Sequence, residues 1–449
     1  MAKATMTFPS DFLWGTATSS HQVEGNNTRN DWWDWEQTPG HILYNHKSGM
    51  ACNWWENAEA DLDLAMEMGT NAHRMSLEWS RIEPEPSVFD RDGLDRYRQI
   101  LQAMNNRGIE PMVTLHHFSN PMWLVNKGDF NSDIIVEYFQ RYTARVVDTL
   151  GDLIPKWITI NEPMVFFLER YIDKNFPQPN RGGLFAGFQA MRQLLQCHAV
   201  AYHTIKEKYP TAQVGVAKNW PIIEPKPGGN FLDKWLAGQT NKLFNESWMR
   251  AMVDGRVRWP FGRGKIKYLA NSFDFVGINY YTRYYVKFPP RRGFHENNWQ
   301  PGTLISDGNY GEVYPYGLYR AIKAALPYNK PIYITENGLP DKDDRLRSAF
   351  LLDHLRQIWH AISFCYPVMG YYHWSLIDNF EWDRGWTQRF GLIALDPESQ
   401  ERTWRRSGRL YAEICRSFSV SSDMAEKYAP HILPVMFPGQ AGKDLVAGN

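Results

Sequence analysis

Eight short, β-favouring runs recur along the chain with longer amphipathic stretches between them. That alternation restricts the possible architectures more than any other feature. The runs are Phe12–Ala17, Ala72–Leu77, Met112–Leu115, Trp157–Ile160, Val214–Ala217, Phe275–Ile278, Ile332–Thr335 and Val368–Tyr372. Several are almost continuously apolar, the pattern of strands covered on both faces in a parallel sheet. Helices are expected at Glu56–Met68, Asp95–Arg107, Gln189–Lys208, Tyr319–Leu326 and Arg345–Phe364. Another follows Asn131-Ser132-Asp133, with Ile135, Phe139, Tyr142, Val146 and Leu150 on one face. Gly69 stands where the first of these patterns stops, a position that suits a left-handed cap. With no linker or low-complexity break, the alternation predicts one (β/α)8 TIM barrel of the α/β class over residues 1–416. A doubly wound open sheet is the structural alternative. Residues 417–449 lose periodicity and are expected to form a C-terminal extension, mobile or packed on the barrel.

Composition removes whole classes of function. The 449 residues carry 49 Lys and Arg against 49 Asp and Glu, without the basic excess that nucleic acid or an anionic membrane demands of a partner. No apolar run approaches the ~18–20 residues of a membrane span. The opening Met1-Ala2-Lys3-Ala4-Thr5-Met6-Thr7 shows no apolar secretory core, so a cytoplasmic location is expected. Cys52, Cys197, Cys365 and Cys415 are far apart and form no Cys-x-x-Cys pair, so free thiols are expected. His198 and His203 are five apart, off one helical face, and there is no His-Glu-x-x-His, phosphate-cradling glycine loop or Gly-x-Ser-x-Gly. Neither metal nor cofactor is expected. Nineteen Trp are more than a core requires, and flat rings suit a flat, partly apolar ligand. Oligomeric state is left open.

In a barrel the connections that follow the strands build the active-site mouth. Gln22–Trp55, Phe118–Asp133, Phe166–Gly187 and Tyr281–Tyr319 are such connections, rich in Trp, Gly, Pro and polar residues. Polar residues gather at the strand ends: Arg74 on the second, His116-His117 after the third, Asn161-Glu162-Pro163 after the fourth. Asn279-Tyr280-Tyr281 ends the sixth, Glu336-Asn337-Gly338 the seventh and His373-Trp374 the eighth. Glu162 and Glu336 therefore face one mouth. Paired carboxylates suit glycoside hydrolysis, in which one group protonates the leaving oxygen and the other attacks or activates water. Their environments must separate the two ionisations, and Arg74 and Tyr281 are candidate partners for Glu336. The bland alternative is that these Glu residues pair with Arg merely to close the barrel.

Five ordered motifs narrow the choice. Ile158-Thr159-Ile160-Asn161-Glu162-Pro163 resembles the acid/base signature of glycoside hydrolase family 1, and Tyr333-Ile334-Thr335-Glu336-Asn337-Gly338-Leu339 its nucleophile signature. Phe8-Pro9-Ser10-Asp11-Phe12-Leu13-Trp14-Gly15-Thr16-Ala17-Thr18, with Gln22-Val23-Glu24-Gly25, is similar to the family's first strand and following loop. Trp374-Ser375-Leu376-Ile377-Asp378-Asn379-Phe380-Glu381-Trp382 and Arg389-Phe390-Gly391 are similar to its eighth-strand sugar-binding loop. The resemblance spans roughly Phe8 to Arg416.

The resemblance implies a retaining exo-β-glycosidase acting on terminal β-D-glucosyl residues through a covalent glycosyl-enzyme intermediate. Glu162 is implied as the general acid and then base, Glu336 as the nucleophile. Arg74 and Tyr281 correspond to residues that support the nucleophile, and Asn161 to the one that bonds the sugar 2-hydroxyl. Gln22, His117 and Glu381 correspond to binders of the other hydroxyls, Trp374 to the stacking floor and Trp382 to a second sugar contact. His116 and Asn279 are expected to orient neighbours. A carboxylate at Glu381 repels a phosphate dianion, which implies unphosphorylated glucosides, with fucosides or galactosides secondary. Glu162 itself speaks against the thioglucosidase branch, which replaces that residue. Two alternatives stay open: a transglycosylase of the same family, and an inactive carbohydrate-binding barrel. Met164 and Gly311 stand where many relatives carry Trp, so two aromatic supports on the leaving-group side are expected to be missing, with Tyr310 or Phe166 as replacements. The cluster Trp32, Trp33, Trp35, Trp54 and Trp55 can be an entrance wall, a subunit contact or packing.

Overall fold

The computed structural model describes residues 4–179, 182–289, 299 and 302–439. Residues 180–181, 290–298 and 300–301 of the long connections, and 440–449 of the extension, lie outside the described residues. Eight strands close into a barrel in sequential order, every neighbouring pair parallel. They are β1 (Leu13–Ala17), β2 (Ala72–Ser76), β3 (Glu110–His116), β4 (Lys156–Asn161), β5 (Gln213–Asn219), β6 (Phe275–Asn279), β7 (Ile332–Asn337) and β8 (Val368–Trp374). Among the helices that follow them are α1 (Trp54–Met68), α2 (Arg91–Asn106), α3 (Ile135–Leu150), α4 (Leu184–Lys208), α5 (Ser247–Asp254), α6 (Pro315–Ala325), α7 (Arg347–Ser363) and α8 (Arg406–Ser417). The open-sheet alternative is excluded by the closure between β5 and β6 and between β8 and β1.

Two hydrophobic cores result. The larger lies between strands and helices, where α3 buries Ile135, Phe139, Tyr142, Val146 and Leu150. The smaller takes one residue from each strand: Ala17, Ala72, Met112, Ile158, Ala217, Phe275, Tyr333 and Tyr372. That layer fills the lumen, so the barrel is a packed support and not a pore. Trp374 and Phe390 belong to the same cluster and lead towards the mouth.

Register slips at the C-terminal ends of three strands: before Asn161 on β4, before Asn279 on β6 and before Asn337 on β7. Such bulges re-aim side chains. All three fall beside Glu162, Asn279 and Glu336. Beyond the barrel mouth, Ile222–Pro225 pairs in parallel with Arg283–Val286 as a small separate ribbon. The segment after α8 is ordered through Phe437: Ser419–Ser421 pairs antiparallel with Thr5–Thr7, and Ser422–Tyr428 forms a helix. Among the described residues no helix is long and apolar enough to cross a membrane.

Candidate active site

The mouth of the barrel opens into a cleft lined in part by His117, Asn161, Glu162, Tyr281, Glu336, Trp374, Glu381 and Trp382. Glu336, on β7, is gripped from two sides. Arg74 on β2 donates from Nη1 to its Oε1 at 2.5 Å, and the Tyr281 hydroxyl donates to its Oε2 at 2.5 Å. Arg74 is fully buried and is itself held: Nε donates to Thr114 Oγ1 at 3.2 Å, and Nη2 to Asn161 Oδ1 at 2.7 Å. Both carboxylate oxygens of Glu336 thus act as acceptors in fixed directions. Burial and the neighbouring Glu336 charge push the Tyr281 hydroxyl well above its ordinary range, so it stays a donor.

Glu162 is placed differently. It follows β4 in a left-handed backbone conformation, φ 43°, and its backbone N–H donates to Ala217 O on β5 at 2.8 Å. Pro163 behind it starts a short helix, so Glu162 sits at a corner that throws its side chain into the mouth. Among the described residues it meets no cation directly. Asn279 and Asn219 donate to Oε1 at 2.7 and 3.2 Å. Burial, then repulsion from Glu336, raise its carboxyl to about 8, against the smaller opposing effect of the two amides. One acid therefore holds its proton through neutral pH opposite a carboxylate held by a guanidinium and a phenol. Such a pair can protonate a leaving oxygen on one side of a bound acetal while a nucleophile attacks from the other.

The far wall gathers residues from three loops. Gln22 donates to Glu381 Oε2 at 3.0 Å, to Asn379 Oδ1 at 3.1 Å and to Phe380 O at 2.9 Å, which ties the loop after β1 to the loop after β8. Burial raises the Glu381 carboxyl to about 8, partly offset by the Gln22 amide. His117 shares a 3.0 Å contact with Asn161 Nδ2, which fixes that ring nitrogen as acceptor. Burial and Arg74 hold its imidazole neutral, well below the ordinary range. The His117 ring lies near-parallel to Trp374 and to Trp382, with centroids 6.1 and 6.0 Å apart. Of the two orienting candidates, His116 contacts Asn120 at 3.0 Å, and Asn279 bonds Glu162 and Asn161.

The strand-end reading misses Asn219. It ends β5 beside Glu162 and carries the same signal as the other strand ends, a polar residue closing an apolar run. Tyr284, Asn309, Tyr310, Asp383 and Arg384 also line the cleft but sit on connections, where no periodicity marks them. Of the two proposed aromatic replacements, Tyr310 lines the cleft, whereas Phe166 is buried behind it against His116 and Phe130. At Gly311 a Cβ would stand 2.8 Å from Thr282 Cβ, so the backbone there leaves no room for a larger residue. The five clustered Trp are mostly packing. Trp32 and Trp54 are buried, Trp55 lies under Arg81, Trp35 stacks on His41, and none of the five lines the cleft. Trp32 alone reaches the site indirectly, through Trp382 at 4.7 Å.

Comparison with known proteins agrees with this geometry. The model of glycosyl hydrolase family 1 matches residues 4–419. Beta-glucosidase A of Thermotoga maritima is 30% identical over 442 residues, covering 91% of this chain and 98% of that protein. The solved beta-glycosidase from Pyrococcus horikoshii superposes with a TM-score of 0.86 at 36% identity, covering 95% of this chain and 98% of that one. The Thermotoga maritima beta-glucosidase in complex with glucoimidazole superposes at 0.83 with 28% identity, covering 92% and 100%. With nearly its whole length matched and eight parallel strands closing around two facing glutamates, the chain belongs to glycosyl hydrolase family 1.

Proposed function

We propose that the protein is a retaining exo-β-glycosidase that releases terminal β-D-glucosyl residues from unphosphorylated small β-glycosides or oligosaccharides. β-Fucosides and β-galactosides are secondary substrates, and no cofactor takes part. The carrying observation is the asymmetry of the two carboxyls: Glu336 between Arg74 and Tyr281, Glu162 buried without a direct cation. In this reading Glu336 attacks the anomeric carbon while Glu162 hands its proton to the departing oxygen. Glu162, now a carboxylate, then takes a proton from the water that releases the sugar from Glu336.

Asn161 bonds the 2-hydroxyl, since Arg74 and Asn279 orient its carboxamide beside Glu336. His117, Gln22 and Glu381 take the remaining hydroxyls, Trp374 forms the floor and Trp382 the flank. The buried carboxyl of Glu381 disfavours a phosphorylated sugar at that wall. The relatives named as beta-glucosidases support the substrate class. A cytoplasmic location completes the proposal and suits four free cysteines, three of them buried.

An aryl β-glucoside tests the core of it. Wild type should turn over with the β-anomer of glucose appearing first by NMR. Glu336→Ala should lose about 10^3-fold or more in kcat. First appearance of the α-anomer, or normal turnover by Glu336→Ala, overturns the assignment.

A further inference from the structure

Behind the acid/base half of the site lies a charge that the mechanism above does not use. Lys218, the last residue but one of β5, is fully buried. Its Nζ donates to the backbone carbonyl of Asn219 at 2.5 Å and to Asn245 Oδ1 at 3.1 Å. The rings of Trp220 and Phe244 cover it, each centroid 5.1 Å from Nζ. Two neutral oxygens and two aromatic faces hold the ammonium, and no carboxylate is among these contacts.

Two of those contacts reach the cleft directly. Asn219 lines it and donates to Glu162; Phe244 lines it as well. Phe244 and Asn245 sit on a wide, π-helical turn, Lys242–Glu246, just before α5. Asn245 in turn donates to Pro221 O at 2.9 Å, so the strand end and the turn are clamped together around the lysine. Wide turns of this kind recur where a helix is bent to serve a site.

We propose that Lys218 is a positioning residue for Glu162: by holding the Asn219 carbonyl and the Phe244 wall it keeps the Asn219 side chain donating to Glu162, an amide contact that favours the carboxylate Glu162 becomes after giving up its proton. This rests on the assignment of Glu162 as acid and base. Burial pulls Lys218 down to about 7, while the Glu162 carboxylate pulls it back up; as ammonium or as amine, its Nζ still donates to the Asn219 carbonyl. The other ionisable groups acting on Glu162 are Glu336 on β7, Arg74 on β2, Tyr281 and Tyr284 after β6, Tyr310 before α6 and Glu381 after β8. From β5 the contribution is Lys218 alone.

The alkaline limb of kcat/KM for a β-glucoside reports loss of the acid's proton. Removing the donor should free Asn219 and weaken its amide bond to Glu162, which then keeps its proton longer, so Lys218→Met should move the limb upward by about half a pH unit. Lys218→Arg, which keeps a donor for the Asn219 carbonyl, should leave the limb at the wild-type position. Lys218→Leu serves as a second variant without the donor if the Met protein does not fold, and should move the limb in the same direction. Superimposable limbs in all folded variants overturn the proposal. So does a uniform fall in kcat without a limb shift, or a limb that rises in the Arg variant. The parent assignment is checked separately with Glu162→Gln on an alkyl glucoside. Unchanged hydrolysis there removes the acid assignment itself, whatever Lys218 does.

Discussion

A single side chain in this site both serves chemistry and opposes folding. Glu162 carries a folded-state carboxyl at about 8 against an ordinary value of 4.5. Between those values the unfolded chain releases a proton that the folded chain retains, so folding stability falls as pH rises through that window and levels off above it. Glu162→Gln removes that ionisation, while its amide oxygen can still accept from Asn279 and Asn219. The Gln variant should therefore be more stable than wild type at pH 8, by about 1–3 kcal/mol, and nearly equal at pH 5. Chemical denaturation at the two pH values measures it. A stability gap that does not widen from pH 5 to pH 8 contradicts the burial of an acid kept protonated by its surroundings. Loss of hydrolysis in the more stable variant is the expected counterpart.

At the scale of elements, the strands show why the sequence discloses the barrel more readily than the site. Each apolar run lies within or alongside an observed strand, yet β3, β4, β5, β6, β7 and β8 extend past it by one or two residues at the C-terminal end. Those extra residues are His116, Asn161, Lys218 and Asn219, Asn279, Glu336 and Asn337, and His373 and Trp374. An apolar window stops there because the barrel's inward face changes from lumen packing to the polar lining of the cleft. Glu162 and Glu336 are legible because motifs mark them, whereas Asn219 closes an apolar run on β5 that lies outside those motifs. The helices differ for another reason. α4 begins at Leu184 and not at Gln189, and α2 at Arg91 and not at Asp95, since their first turns are partly exposed and lack apolar period. C-terminal caps are easier. Gly69 ends α1 at φ +84°. A Cβ there would meet Arg416 Cγ of α8 at 2.7 Å, and an L residue in that conformation adds about 1–2 kcal/mol of strain. Gly69→Ala should lower Tm by a few degrees with kcat unchanged, and Gly69→Asn should recover part of the loss. Equal melting of all three proteins would show that the cap contributes nothing.

The whole molecule is closed by its two ends. Thr5–Thr7 enters just before β1 and has one sheet partner, Ser419–Ser421, beyond α8. Phe8 N donates to Phe418 O, and Ser422 N to Ala4 O, both at 2.9 Å, so the pairing runs the length of both segments. After it Val420, Met424, Ala425, Tyr428, Met436 and Phe437 bury their side chains within the same outer core that backs the barrel. Loss of periodicity in this region of the sequence reflects short elements, a three-residue strand and helices of seven and four residues, which leave no repeat to read. Burial of four large apolar side chains and two smaller ones contributes on the order of 5–10 kcal/mol. That is comparable with the net stability of a typical protein. A chain ending at Ser417 also leaves Thr5–Thr7 as an unpaired edge next to Phe8, an invitation to aggregation. The truncated chain should therefore be largely insoluble, or should unfold at least 10 °C below the full-length protein, although every residue of the cleft is retained. Melting within 2 °C of full length, with normal turnover, would show that the barrel closes without its C-terminal segment.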